Sequence, residues 1–134
     1  MKKSTLLGIG LILVYSSLSA QDPIKTDGDK YKVVLENDRV RVLEFKDKPG
    51  DKTTSHHHPD FVLYALDSFS RKLTMGNGKQ AIRDIKKGDV LWMKDQIHSG
   101  ENIGKTETHV LIIELKESPK APPEDSAKTN LNKK

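Results

Sequence analysis

The sequence predicts an all-β domain, a small antiparallel sandwich or barrel, and three observations carry that prediction. Apolar and β-branched residues come in short runs, broken by glycine, asparagine and aspartate at roughly the 8–12-residue spacing of such folds. No stretch keeps a helical period over several turns. Between two of the runs stands Gly76-Asn77-Gly78, a strong hairpin signal because these residues tolerate positive φ.

Taken in order, residues 1–20 stand apart from the domain. Lys2 and Lys3 precede an apolar run from Leu6 to Val14, and Leu18-Ser19-Ala20 closes it ahead of Gln21-Asp22-Pro23. That order is a secretory signal peptide, cut after Ala20. The run is shorter than the about 20 apolar residues a spanning helix needs. The mature chain is therefore expected to be exported, periplasmic or secreted, without stable membrane insertion. Residues 21–30 are a polar N-terminal lead-in containing Pro23 and Gly28. The β-domain is expected over residues 31–116.

Within it, residues 31–35 and 40–45 read as strands around a turn at Glu36-Asn37-Asp38. Residues 61–66 are a continuous apolar run, the pattern of a buried strand, ending near Asp67-Ser68. Residues 71–75 alternate up to the Gly76-Asn77-Gly78 hairpin, and residues 80–85 return. Lys87-Gly88-Asp89 turns the chain into residues 90–93, and residues 108–115 close the domain. In this scheme Phe61, Tyr64 and Trp92 are core residues. Residues 117–134 carry three prolines and almost no large apolar residue, so they read as a disordered tail.

Composition narrows the function classes. The chain has no cysteine, which rules out disulfides, thiolate ligands and a cysteine nucleophile. Its formal charge of +4 overstates the basicity of the domain. Lys2 and Lys3 belong to the leader, and Lys120, Lys128, Lys133 and Lys134 to the tail. The other cations alternate with acids and do not interleave with aromatics, so no nucleic-acid partner is expected.

The chemistry-bearing residues are histidines. His56, His57 and His58 lie together just ahead of the strand at 61–66, and His98 follows forty residues later. On a strand, residues two apart share a face, so His56 and His58 point one way and His57 the other. Two imidazoles about 6–7 Å apart at Cα and aimed alike are half of a metal site. His98 supplies the third ligand if the fold brings it opposite.

Two motifs extend this pattern. Gly50 is followed by five residues, His56-His57-His58 and an apolar strand; Gly88-Asp89 is followed by an apolar strand, a turn, His98, three residues and Asn102. Together they resemble the two motifs of the cupin superfamily, and specifically its small single-domain members, over roughly residues 33–115. The resemblance implies a single antiparallel β-barrel or jelly roll. It also implies a divalent metal ion (Zn, Fe, Mn, Ni or Cu) held by His56, His58 and His98. The family's motif glutamate falls at Val62 or Leu63, neither of which can ligate, and Lys94 and Gln96 replace its proline and glycine.

Two function classes follow. One is a metal-dependent enzyme acting on a small molecule by oxygenation, isomerisation or hydrolysis; the other is a non-catalytic module for a small ligand or a metal. A homodimer is compatible with either. Three neutral imidazoles leave the ion its full charge, which favours an anionic ligand. Free imidazole titrates near pH 6.5, so metal loss is expected at mildly acidic pH. No catalytic acid or base stands at a diagnostic spacing. Asn102 reads as a turn stabiliser, His109 as a packed or surface residue, and Asp60 and Glu101 as turn acids.

Overall fold

A computed structural model describes residues 21–117. The expected leader, and the expected tail beyond Glu117, lie outside the described residues. Among the described residues a single helical turn, α1 (Pro23–Thr26), precedes nine strands. They are β1 (Tyr31–Glu36), β2 (Val40–Asp47), β3 (His56–His58), β4 (Phe61–Ala65), β5 (Phe69–Met75), β6 (Gln80–Ile85), β7 (Val90–Met93), β8 (Gln96–Asn102) and β9 (Thr108–Leu115). One sheet has the order β1-β2-β9-β4-β7 and the other β3-β8-β5-β6, with every strand pair antiparallel. No helix among the described residues is long and apolar enough to cross a membrane.

The two sheets face each other across a core in which Leu43, Phe45, Phe61, Ala65, Phe69, Val110 and Ile112 are buried. Period-two alternation explains most of it. In β9, Thr108, Val110, Ile112 and Glu114 are buried while the residues between them are not. Gly50, with φ of 86°, turns the chain out of β2 toward β3, a backbone region that a side chain would make costly.

The core expectation holds for Phe61 and fails for Tyr64 and Trp92, which are 39% and 53% exposed. The reason is register. Trp92 pairs with Val62, Val62 with Ile113, Ile113 with Val42 and Val42 with Leu35, so one apolar row crosses the outer face of the five-stranded sheet. An apolar run with both faces apolar carries no parity signal, and Tyr64 falls on the outer side of it.

Two further features place the site. The stretch from Gln96 to Asn102, to which the sequence assigned no strand, is a seven-residue strand, β8. The lead-in is tied to the domain by specific hydrogen bonds. Asp22 caps α1 by accepting from the Ile24 amide at 2.8 Å, and the Gln21 carbonyl accepts from the His57 amide at 3.1 Å. The buried Asp27 carboxylate accepts from the Thr54 amide at 3.0 Å, fixing the chain just before β3.

Candidate metal centre

β3 and β8 are neighbours, and their register sets His56 directly opposite His98 and His58 opposite Gln96. The pleat aims all three imidazoles into the space between the sheets. His56 is fully buried, His58 and His98 nearly so. The three can each offer a ligand atom with all of these atoms within 4.8 Å of one another. Ring centroids lie 4.9 Å apart for His56 with His58 and with His98, and 5.4 Å for His58 with His98. The sequence placed these three together, and they do converge.

The tautomers are set by hydrogen bonds. His56 Nδ1 donates to the Thr54 carbonyl at 2.7 Å, and His58 Nδ1 donates to Glu114 Oε1 at 2.6 Å. Each therefore keeps its Nε2 lone pair for another partner. On His56 the buried Tyr31 hydroxyl donates to that lone pair at 3.1 Å. Burial first, then neighbouring His58, pushes His56 down to about 4 against the pull of the Thr54 carbonyl. Burial, then His56 and His58, pushes His98 down to about 3. Neutral imidazoles are what a metal requires.

Two buried polar atoms among the described residues lack a hydrogen-bond partner: His98 Nδ1 and Gln96 Nε2, both on β8. An orphaned buried polar group costs about 1–3 kcal/mol. A cation shared by the histidines would remove that cost at His98, so the donor set fits a divalent ion. It is all nitrogen, borderline in softness, and suits Zn, Fe, Ni or Cu.

The missing motif glutamate is answered from another strand. Val62 lies on the outer face and Leu63 lines the cavity, so neither brings charge. Glu114 on β9 is 2% exposed and pairs with His58 on one side and with Arg41 Nε at 2.6 Å on the other. Burial alone would raise this carboxyl, but hydrogen bonds from His58 and Arg41 outweigh it and hold Glu114 below the usual carboxylate range. Arg41 continues to Asp22 in the lead-in. Sequence reasoning missed Glu114, yet it stands on the inward register of β9 behind Val110 and Ile112, where an acid needs a buried partner.

Beside the histidines lies a cavity of about 70 Å³, room for several waters or a small organic group. Its walls are mostly apolar, including Phe61, Leu63, Leu91 and Met93, with Tyr31, His58, Arg71, Arg83, His98 and Thr108 as polar points. Arg71 is also buried; it pairs with Asp47 and reaches Thr108 Oγ1 at 3.3 Å. Its guanidinium occupies the space that any side chain on Gly100 would need.

The other candidates fall outside the cluster. His57 points away, with Nε2 3.0 Å from Asp95, as strand parity requires. His109 is half-buried and donates to Glu44 at 2.9 Å. Asn102 is a turn stabiliser: it accepts from the Gly104 amide at 3.0 Å and donates to the Thr106 carbonyl at 2.9 Å. Glu101 pairs with Lys72 at 2.7 Å, and Asp60 accepts from the Asp95 amide at 2.7 Å.

This architecture has close counterparts among solved structures. A cupin domain from Bordetella pertussis is 26% identical, with a TM-score of 0.60, over 65% of this chain and 92% of that one. An uncharacterised conserved protein with a double-stranded β-helix domain from Klebsiella pneumoniae is 24% identical, with a TM-score of 0.50, over 66% and 84%. An RmlC-like cupin family protein from Methanocaldococcus jannaschii is 12% identical, with a TM-score of 0.51, over 63% and 77%. No protein-family model and no curated protein matches the sequence. The described residues form a small cupin-superfamily domain, a double-stranded β-helix with a histidine cluster that allows metal binding.

Proposed function

We propose that His56, His58 and His98 hold one divalent metal ion and that the domain uses it on a small molecule admitted to the adjoining cavity. The carrying observation is the convergence of three buried histidines within 4.8 Å, two of them already tautomer-locked by Thr54 and Glu114. Three protein ligands leave coordination positions open, which is the form of a catalytic or ligand-binding site and not of a structural one. A bound ion would polarise an oxygen of the substrate. The chain's own contribution is to orient His58 through Glu114, to exclude water with apolar walls, and to set the Tyr31 hydroxyl beside His56.

One observation favours the second reading, a binding module without turnover. The buried carboxylates near the cavity are already committed, Glu114 to His58 and Arg41, and Asp47 to Arg71. None of these is free to act as a general base. The two readings share the metal and part on turnover.

Metal analysis of purified protein, with His98→Ala beside it, tests the shared claim. About one ion per chain in the wild type and almost none in the variant is the expected result. Wild type that stays metal-free after expression and reconstitution with Zn, Fe, Mn, Ni and Cu overturns it. A screen of small-molecule turnover on the loaded protein then separates enzyme from module. We also infer export, supported by Lys2, Lys3, the apolar run and Ala20. Mass analysis of the mature chain, expected to begin at Gln21, tests it.

A further inference from the structure

Arg71 on β5 and Arg83 on β6 are directly opposite each other in the antiparallel register. Directly opposed residues share a face of the sheet, and both of these line the cavity. Like charges in that position repel each other. Arg71 is neutralised by Asp47. Arg83 is exposed at the cavity edge, on the edge strand β6, and among the described residues no carboxylate forms an ion pair with it. The pair of guanidiniums with one acid thus presents one uncompensated positive charge to a mostly apolar cavity.

The distance to the histidines follows from the ladder. Arg71 pairs with Asn102, and His98 lies four residues back along the same strand. At about 3.3 Å per residue the two rungs are roughly 13 Å apart. The Arg71 guanidinium leans back over Gly100, which shortens the gap by about half. Apolar side chains, Leu73 and Met93 among them, line the space between.

We propose that this cavity takes a small monocarboxylate with an apolar body, its carboxylate held by Arg83 with Arg71 behind it and its body pointing toward His58 and His98. One uncompensated cation matches a monoanion. The guanidinium fork matches a carboxylate bidentately. The mostly apolar walls suit a short hydrocarbon body, which leaves His58 and His98 to face whatever polar group its far end carries. The inference deepens the small-molecule reading of this site and does not depend on the metal.

The test uses metal-free, chelator-treated protein so that carboxylate binding to an ion cannot contribute. Propionate, butyrate and hexanoate are titrated by NMR against their neutral amides, in wild type, Arg83→Gln, Arg83→Lys and Arg39→Gln. Arg39→Gln removes an exposed arginine elsewhere and controls for net charge. At least one acid is expected to bind wild type and Arg39→Gln tenfold or more tightly than its amide. Arg83→Gln should abolish that preference and Arg83→Lys should keep part of it. No binding by any of the three acids, equal binding of acid and amide, or an undiminished preference in Arg83→Gln overturns the proposal. Metal content, measured separately on reconstituted samples, reports on the histidines alone. Acid preference without metal loading sinks the metal reading only; loading without preference sinks this inference only.

Discussion

Two ion-pair networks, each centred on a buried carboxylate, stand at different places around the same cavity, and they serve different ends. The first runs from Asp22 through Arg41 to Glu114 and finishes on His58 Nδ1. The second joins Arg71 to Asp47, which also accepts from Asn102 Nδ2 at 3.3 Å, and Asn102 finishes on the backbone of the turn that follows β8. Both pair an arginine with a buried carboxylate, yet only the first ends on a candidate ligand. The first should therefore read out in metal affinity and the second in stability. A buried carboxylate in this fold is no guide to function until the atom at the end of its chain is known.

The largest effect should come from breaking the second network. Asp47→Ala leaves Arg71 as a buried charge without its counter-ion and takes a partner from Asn102. Removing one member of a buried pair costs about 3–5 kcal/mol. For a domain of this size the midpoint of thermal unfolding should fall by on the order of 12 °C or more. Metal content at a temperature where the variant is folded should stay at the wild-type level. Loss of metal with little loss of stability would invert the assignment of the two networks.

Comparable in size is the response of the metal-free protein to pH. His56 and His98 have folded values of about 4 and about 3, below the ordinary 6.5. Below pH 6.5 the unfolded chain takes up protons that the folded chain refuses, so stability is complete above that pH. It falls as pH drops through about 4 for His56 and about 3 for His98. Each unit of depression is worth about 1.4 kcal/mol, so the loss should reach a few kcal/mol. Urea unfolding of metal-free protein from pH 7 to pH 4 measures it, and His98→Ala should flatten the slope. The same shift bears on the pH at which a metal would be released. These two candidate ligands stay neutral well below pH 6.5, so proton competition for a metal there would be weaker than free imidazole gives. A flat stability profile between pH 7 and 4 would remove this argument.

How far the sequence could be read divides along the same line. Strand parity separated His56 and His58 from His57, and the Gly88-Asp89 and His98 spacing brought the third histidine into place. Those signals are local, two to ten residues long. β8 was hidden because Ser99-Gly100-Glu101-Asn102 has turn composition, and only pairing with β3 and β5 makes it a strand. Tyr64 and Trp92 were placed in the core because nothing local says which face of β4 and β7 looks inward. Glu114 and Arg71 were legible in principle, since each interrupts an inward-facing apolar alternation. Their partners, 56 and 24 residues away, were not legible, because those contacts exist only once the two sheets have closed.

Glu114→Gln sharpens the comparison from the other side. The amide keeps the shape and one acceptor for His58 and loses the charge that raises the basicity of the ring. Arg41 keeps Asp22 as its counter-ion, so no fully unpaired buried cation is left. Metal affinity should fall 10–100-fold, the usual effect of losing a carboxylate behind a ligating histidine. Competition with a chromogenic chelator measures it. Affinity within twofold of wild type would reduce Glu114 to a packing role.

The smallest effect is expected at His57, and it checks the geometry on which the others rest. His57 shares β3 with two candidate ligands and differs from them only in parity. Its ring lies on the outer side, bonded to Asp95, and the two side chains are 38% and 65% exposed. An exposed pair of this kind is worth between about 0 and 1 kcal/mol. His57→Ala should therefore leave stability nearly unchanged and metal content at the wild-type ratio, while His98→Ala, forty-one positions away in sequence and directly across the ladder from His56, removes the ion. If the two variants lose metal equally, the ion is not held by the inward face of β3, and every argument from the His56–His98 rung falls with it.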